Sequence, residues 1–253
     1  MGDEQDALLS GMRKTSRFLR GAGWKKGKKM EKKIYTEQDL DKMSPMEITE
    51  LGNPAKPEGA AGARMLARMN ESHREVTEWG LSHAEFRPED TILDIGCGGG
   101  RTLESLAEKS PKGKLWGVDV SPVSVEESRK RNEKRIAEGR MEILEGSAAK
   151  LPFADQTFDK VTTVESFYFW PDAMEGLKEV LRVLKPDGTF LLIADVYETG
   201  DLPEDVRENI AKFHMRNPTP ADFRHMFVDA GFWKTEIHRK EGTTWICVEG
   251  TKY

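Results

Sequence analysis

Glycines at alternate positions, with an acid just before them, form the stretch best suited to chemistry. In ILDIGCGGG, Asp94 ends an apolar run, and Gly96, Gly98 and Gly100 follow it. Glycines let a backbone approach a ligand where a Cβ atom would block it. No lysine follows as in a phosphate-binding loop, and Arg101 occupies the last glycine position of the dinucleotide pattern G-x-G-x-x-G. A carboxylate here disfavours pyrophosphate and favours a ligand with a cationic part.

A second acid, Asp119 in LWGVDVS, ends the next apolar run. A carboxylate about 20 residues after a glycine turn, on the neighbouring strand, is where a ribose diol donates two hydrogen bonds. The predicted ligand therefore has a ribose and a cationic group and needs no pyrophosphate. S-adenosylmethionine has both, so we expect it to be the cofactor.

Strand and helix patterns alternate around these residues, which is typical of a parallel sheet with helices on both faces. The predicted strands are 90–95, 114–120, 140–145, 158–165 and 188–196. The predicted helices are 44–51, 58–84, 100–109, 122–138, 171–183, 203–215 and 219–230. Two final strands, 232–240 and 243–252, are joined by the short link EGT, so we expect them to be antiparallel.

Four segments in this order and spacing, ILDIGCGGG, GVDVS, LPFADQTFDKV and EVLRVLKPDGTFLL, resemble class I S-adenosylmethionine-dependent methyltransferases. The resemblance covers residues 86–196 and is closest to the small-molecule branch, the type 11 and ubiquinone or menaquinone methyltransferase-like enzymes. It implies an α/β fold with a doubly wound, mostly parallel seven-stranded sheet whose last strand is reversed. It also implies methyl transfer from S-adenosylmethionine to a small-molecule acceptor.

Composition and the resemblance together divide the chain into regions. The expected regions are a basic N-terminal arm at 1–33, a helical cap on the substrate side at 34–85, and an S-adenosylmethionine-binding domain at 86–253 with a variable insert at 197–230. No apolar run approaches the roughly 20 residues that cross a bilayer, so the cytoplasm is the expected location. Two cysteines are too few for a disulfide framework, and no His, Asp and Glu cluster has typical ligand spacing, so no metal is expected.

The basic arm holds ten lysines and arginines against four acids, whereas the whole chain has a net charge of -5. We interpret the arm as a solvated tail. Its few aromatic residues, Phe18 and Trp24, disfavour nucleic acid as its partner. A further hypothesis is that Met30 is the natural start.

The resemblance implies cofactor contacts for the residues that match the family's motifs. These residues are Asp94, Gly96, Cys97, Gly98, Gly100, Asp119, Val120, Ser147, Ala148 and Glu165. Ser147 is a departure, because relatives often have an aspartate there that bonds the adenine amino group. The Ser147 hydroxyl or the Ala148 amide would make that contact instead.

The acceptor side is predicted from residues near the transferred methyl group and in the variable segments. Glu165 follows the fourth strand and is a candidate base, as are His73 in the cap and His214 in the insert. Asn70 and Tyr168 are candidates to orient the acceptor. The aromatic run at 167–170 either forms a pocket wall or packs beneath the cap helix.

Two alternatives to a small-molecule methyltransferase stay open. In one, the basic arm docks RNA or protein, although VESF replaces the NPPY-type strand end of amino-directed nucleic-acid methyltransferases. In the other, the chain binds an adenosyl ligand without turnover, which only the Ser147 departure supports. Both a monomer and a homodimer are compatible with the sequence. An aromatic pocket would suit a phenol, a quinone or a heterocycle.

Overall fold

Seven strands form a single sheet in the computed structural model, which describes residues 35–253; the expected arm at 1–33 lies outside the described residues. The strands are β1 (Ile92–Ile95), β2 (Leu115–Asp119), β3 (Met141–Glu145), β4 (Phe158–Val164), β5 (Leu184–Ala194), β6 (Lys234–Arg239) and β7 (Ile246–Thr251). Their order is β3-β2-β1-β4-β5-β7-β6. Strand β7 is antiparallel to both neighbours, and the other pairs are parallel. The predicted sheet with a reversed last strand is confirmed.

Helices cover both faces of this sheet. In the described part of the chain they are α1 (Glu37–Leu40), α2 (Pro45–Gly52), α3 (Gly59–Ser72), α4 (Arg74–Leu81), α5 (Arg101–Lys109), α6 (Pro122–Arg131), α7 (Glu133–Ala137), α8 (Ala173–Val183), α9 (Glu204–Lys212) and α10 (Pro220–Ala230), with a 3-10 turn at Phe167–Phe169. Among the described residues, every helix is too short or too polar to cross a bilayer.

The core lies in two layers, one on each side of the sheet. In β5, Phe190 and Leu192 belong to one buried cluster, whereas Leu191 and Ile193 belong to the other. Successive side chains of a strand point to opposite faces, so a strand that is apolar at every position serves both layers. This double burial explains why the central strands are continuous apolar runs.

Two predicted helices are each interrupted in the structure. The expected helix at 58–84 is divided into α3 and α4 at His73, which has φ -93° and ψ 6°. The expected helix at 122–138 is divided into α6 and α7 at Asn132. The Asn132 amide donates hydrogen bonds to the carbonyl oxygens of Gly100 (3.0 Å) and Ser128 (3.1 Å), so its side chain ties this break to the glycine loop.

The cap helices α3 and α4 are held against the rest of the molecule by buried apolar side chains, among them Met65, Val76 and Leu81, and by polar contacts. The Ser121 hydroxyl donates to the Pro57 carbonyl (2.5 Å), and the Ser105 hydroxyl donates to Glu78 (2.6 Å). Residues 35–253 form one compact unit. The boundary between a cap at 34–85 and a domain at 86–253 stays a prediction.

Candidate active site

A cleft of about 990 Å³, part of it open to solvent, lies between the cap and the carboxyl ends of β1, β2 and β4. Its lining contains most of the residues singled out in the sequence. Those residues are Asn70, His73, Gly96, Cys97, Gly98, Asp119, Val120, Ser147, Ala148 and Glu165. The lining does not include Asp94, Gly100, Tyr168 or His214. The cleft thus joins residues as far apart in the chain as Pro54 and Pro171.

The glycine loop packs too closely for side chains. Gly96 has φ +71°, and a Cβ atom on it would overlap the side chain of Ser166 at the end of β4. A Cβ atom on Gly99 would overlap the amide of Asn70 in the cap. The loop therefore needs glycine both for its backbone conformation and for the close approach of its neighbours.

Asp119 fixes the loop from the next strand. One carboxylate oxygen accepts the Gly98 N–H (3.0 Å), and the other accepts the Ser121 N–H (2.9 Å). Burial raises the pKa of the Asp119 carboxyl, and these hydrogen bonds oppose the shift. Because each carboxylate oxygen has a second lone pair, Asp119 can also accept hydrogen bonds from a diol in the cleft.

Asp94 lies behind the glycine loop, and its side chain does not reach the cleft. It is 1% exposed, and it accepts a hydrogen bond from the Thr162 hydroxyl (2.7 Å). Burial raises the pKa of Asp94 to about 7. The expected contact between Asp94 and a cationic ligand is thus not what the structure shows. Gly100, the N-cap of α5, also lies outside the lining.

Val120, Ser147 and Ala148 line the part of the cleft beside Asp119. Val120 is 37% exposed, which leaves an apolar surface open to a flat ring. The Ser147 oxygen accepts the Ala149 N–H (3.3 Å), so the hydroxyl proton is the group left for a ligand. The predicted substitute for the missing aspartate is therefore in a suitable place, and its contact with adenine stays a prediction.

Glu165 lies at the other side of the cleft, immediately after β4. Its φ is +55°, a conformation that costs a residue with a side chain about 1–3 kcal/mol. One carboxylate oxygen accepts the Asp195 N–H (2.5 Å), and the other lies 4.0 Å from the His73 imidazole. The strained backbone and these contacts aim the carboxyl group at the cap.

Tyr168 organises this cluster from below the cleft. Its hydroxyl lies 3.1 Å from a carboxylate oxygen of Asp195 and 3.3 Å from Glu165, and it accepts the Val196 N–H (3.3 Å). The side chain is 4% exposed. The expectation that Tyr168 contacts the acceptor is therefore corrected: it positions Glu165 and Asp195.

The cluster of His73, Glu165 and Asp195 contains two acids and has no cationic ion-pair partner from lysine or arginine among the described residues. Burial raises the pKa of Glu165, and the charge of Asp195 raises it further. Burial lowers the pKa of His73, although Asp195 opposes this shift. Among residues 35–253, neither a lysine nor an arginine forms an ion pair with Glu165 or Asp195.

Asp195 is the site residue that the sequence analysis missed. It follows β5, the neighbour of β4, and so lies beside Glu165 at the same edge of the sheet. The signal was an acid at the end of an apolar strand, the one used for Asp94 and Asp119. His214 is not in the cluster: it follows α9 with φ +52° and lies outside the cleft lining.

The aromatic run at 167–170 takes the first of its two predicted roles, a pocket wall, in part. Phe169 and Trp170 line the cleft. Phe167 is buried against Trp170 (5.2 Å between ring centroids) and against Phe223 of α10 (5.7 Å). Phe167 therefore packs in the same buried cluster as α10 and not beneath the cap helix, whose buried residues Val76 and Leu81 belong to the other cluster.

Comparison with known proteins identifies the segment that carries this site. A family model described as a methyltransferase domain matches residues 93–192, which include the glycine loop, Asp119 and Glu165. Residues 93–192 are therefore a methyltransferase domain. The match confirms two predictions from the sequence: the resemblance to the small-molecule branch of these enzymes, and S-adenosylmethionine as the cofactor of this domain.

Two curated relatives illustrate the range of the methyltransferase domain. The demethylmenaquinone methyltransferase of Symbiobacterium thermophilum is 38% identical over 48% of this chain and 47% of its own length. The erythromycin 3''-O-methyltransferase of Saccharopolyspora erythraea is 32% identical over 56% of this chain and 44% of its own length. The chain thus spans less than half the length of these two relatives.

The fold is shared with a solved methyltransferase. Geranyl diphosphate C-methyltransferase from Streptomyces coelicolor superimposes with a TM-score of 0.64 and 15% identity, covering 79% of this chain and 87% of that chain. That structure is a complex with Mg²⁺, geranyl diphosphate and S-adenosylhomocysteine. At this identity the likeness confirms the fold.

Proposed function

We propose that the chain transfers the methyl group of S-adenosylmethionine to a small-molecule acceptor. One observation carries the proposal: a single cleft joins the glycine loop and Asp119 to Glu165 and His73, and Asp195 lies next to those two residues. The first set suits an adenosyl donor, and the second suits an acceptor that must lose a proton. The small molecules in the names of the two curated relatives support the same class of acceptor.

Asp119 would accept hydrogen bonds from the ribose hydroxyls, and the backbone of the glycine loop would contact the methionine part of the donor. Val120, Ser147 and Ala148 would surround the adenine. The two loop N–H contacts already hold Asp119 in place, so little reorganisation accompanies binding.

S-adenosylmethionine supplies an already activated sulfonium methyl group. The chain's own task is then to align donor and acceptor and to exclude water, effects worth up to roughly 7–11 kcal/mol of the barrier. Glu165 would act as the general base, since its raised pKa strengthens it as a proton acceptor. Tyr168 would hold Glu165 in position.

Calorimetric titration of the full chain with S-adenosylmethionine and S-adenosylhomocysteine tests the donor site. We expect micromolar binding of both, none of NAD, and loss of binding in Asp119→Ala. The matched control is Asp229→Ala, an exposed aspartate on α10, which should bind like the parent. Binding of NAD, or no adenosyl binding, would refute the proposal.

The finer expectations stay as proposals beside this one. We propose a monomer or homodimer, a cytoplasmic location, and a donor site that needs no metal. A macromolecular acceptor docked by residues 1–33 remains the alternative, and binding of RNA that disappears on their removal would favour it.

A further inference from the structure

Glu165 and His73 line the acceptor end of the cleft, and the Asp195 carboxyl group lies beside them. Among the described residues, neither carboxyl group forms an ion pair with a lysine or an arginine. Glu165 and Asp195 come from the ends of neighbouring strands, and His73 faces them from the break between α3 and α4. All three are partly exposed. Two carboxylates in a partly buried site are costly unless something positive or proton-donating meets them.

The spacing of the three groups indicates what fits between them. One atom from each, a carboxylate oxygen or an imidazole nitrogen, can be chosen so that all lie within 4.8 Å of one another. An atom at the centre of an equilateral triangle of that side lies about 2.8 Å from each corner, which is the length of a charge-assisted hydrogen bond. Bonds from such ligands to Zn²⁺ are about 2.0–2.2 Å, so a metal would require the side chains to close inward.

The chemistry of the three groups is that of hydrogen-bond acceptors. Glu165 and Asp195 each have a carboxylate oxygen that faces the others, and burial keeps the His73 imidazole neutral so that one ring nitrogen can accept. An ammonium group has three N–H donors. A phenol or a hydroquinone hydroxyl has one, and would leave two acceptors unmatched.

We propose that the acceptor is an amine whose nitrogen is bound by Glu165, Asp195 and His73. This inference rests on the proposed function and names its substrate class: a primary amine on an apolar or aromatic body. Phe169 and Trp170, which line the same cleft, would contact that body and favour its cationic group.

The reaction balances without any further reagent. The ammonium enters, Glu165 takes one proton, and Asp195 and His73 accept the two remaining N–H groups of a primary amine. The freed lone pair attacks the sulfonium methyl carbon, so an N–C bond forms while the C–S bond breaks and its electron pair goes to sulfur. The products are S-adenosylhomocysteine and a methylammonium ion, and the proton on Glu165 leaves through the cleft.

The test compares amines with alcohols of the same shape. Phenethylamine and 2-phenylethanol, and tryptamine and tryptophol, are titrated into the complex of the full chain with S-adenosylhomocysteine. We expect at least one amine to bind about tenfold or more tightly than its alcohol, since each tenfold is only about 1.4 kcal/mol. Asp195→Asn should abolish this preference while binding S-adenosylhomocysteine as before, and Asp229→Asn should keep it.

The possible results are distinct. Equal or tighter binding of the alcohols, or no amine binding to a complex that does contain S-adenosylhomocysteine, would overturn the inference and leave the methyltransferase proposal standing. Zn²⁺ binding that excludes the amines and is lost in His73→Ala would also overturn it, in favour of a metal site. No binding of S-adenosylhomocysteine would remove the proposed function and the inference with it.

Discussion

Replacing Gly96 by alanine is the change whose effect the structure defines best. Gly96 has φ +71°, and an added Cβ atom would overlap the Ser166 side chain. Gly139 is a matched control, because its φ is +70° and an added Cβ atom would meet nothing within 4 Å. Both substitutions impose the same backbone strain, so their difference isolates the collision with Ser166.

The size of that difference follows from the bonds of Ser166. Its hydroxyl lies 2.6 Å from the Thr163 hydroxyl, donates to the Ile95 carbonyl (3.0 Å) and accepts the Trp170 indole N–H (3.3 Å). The strain shared with the control costs about 1–2 kcal/mol. Displacing Ser166 would forfeit three neutral hydrogen bonds of about 1 kcal/mol each, so Gly96→Ala should lose roughly 3 kcal/mol more than the control.

Urea denaturation and thermal melting measure this difference. In a domain of this size about 1 kcal/mol corresponds to 2–4 °C, so we expect a melting temperature roughly 6–12 °C below that of Gly139→Ala. Ser166→Gly removes the obstructing atoms together with the same three hydrogen bonds, so the double variant should be more stable than the sum of the single effects predicts, by about 3 kcal/mol. Equal stabilities of the two alanine variants, or strict additivity with Ser166→Gly, would refute the steric reasoning.

Three further predictions concern titration, a hydrogen-bond network and thiol reactivity. The pKa of Asp94 is about 7 in the folded protein against 3.8 for a free carboxyl group, so the folded state binds this proton more tightly than the unfolded state. Between about pH 4 and 7, the free energy of unfolding of the parent protein should therefore fall relative to that of Asp94→Asn, by up to ~1.4 kcal/mol per pH unit. Urea titrations of both proteins over that range check this, and a pH-independent difference contradicts it. Arg182 donates to two carboxylates and two carbonyls, a set that lysine cannot match, so Arg182→Lys should lose about 1–2 kcal/mol, measured as a lower urea midpoint with an unchanged slope. Burial raises the pKa of the Cys97 and Cys247 thiols, so Ellman's reagent should label neither in the native protein and both in urea; rapid native labelling would show that one of them is accessible.

The donor half of the site could be predicted because its signals are local. A glycine cluster after an apolar run, and an acid at the end of the next run, lie within 26 consecutive residues from Asp94 to Asp119. The alternation of strands and helices predicts a parallel sheet, in which the carboxyl ends of the strands lie at one edge. The residues that follow those strands are therefore expected to lie close together. Asp94 was the exception, because the sequence does not show which side of the loop a strand-end carboxyl occupies.

The acceptor half depends on contacts between distant segments. Asp195 bonds Glu165 only because β4 and β5 are adjacent, and His73 meets Glu165 only because the cap helix breaks there. No glycine or proline marks that break in MNESHREV, and backbone hydrogen bonds continue through it, from the His73 N–H to Met69 and from the Thr77 N–H to His73. The inward turn of Tyr168 likewise depends on tertiary packing that no short pattern encodes.

The cap that covers the cleft contributes His73 and Asn70 from outside residues 93–192, the span matched by the family model. Acceptor recognition is therefore divided between two stretches of the chain: Glu165 lies inside the matched span, whereas His73 lies in the cap, which the hydrogen bond from Ser121 to Pro57 ties to that span. A substitution in the cap can thus reshape the acceptor side of the cleft while Asp119 and its hydrogen bonds to Gly98 and Ser121 stay as they are.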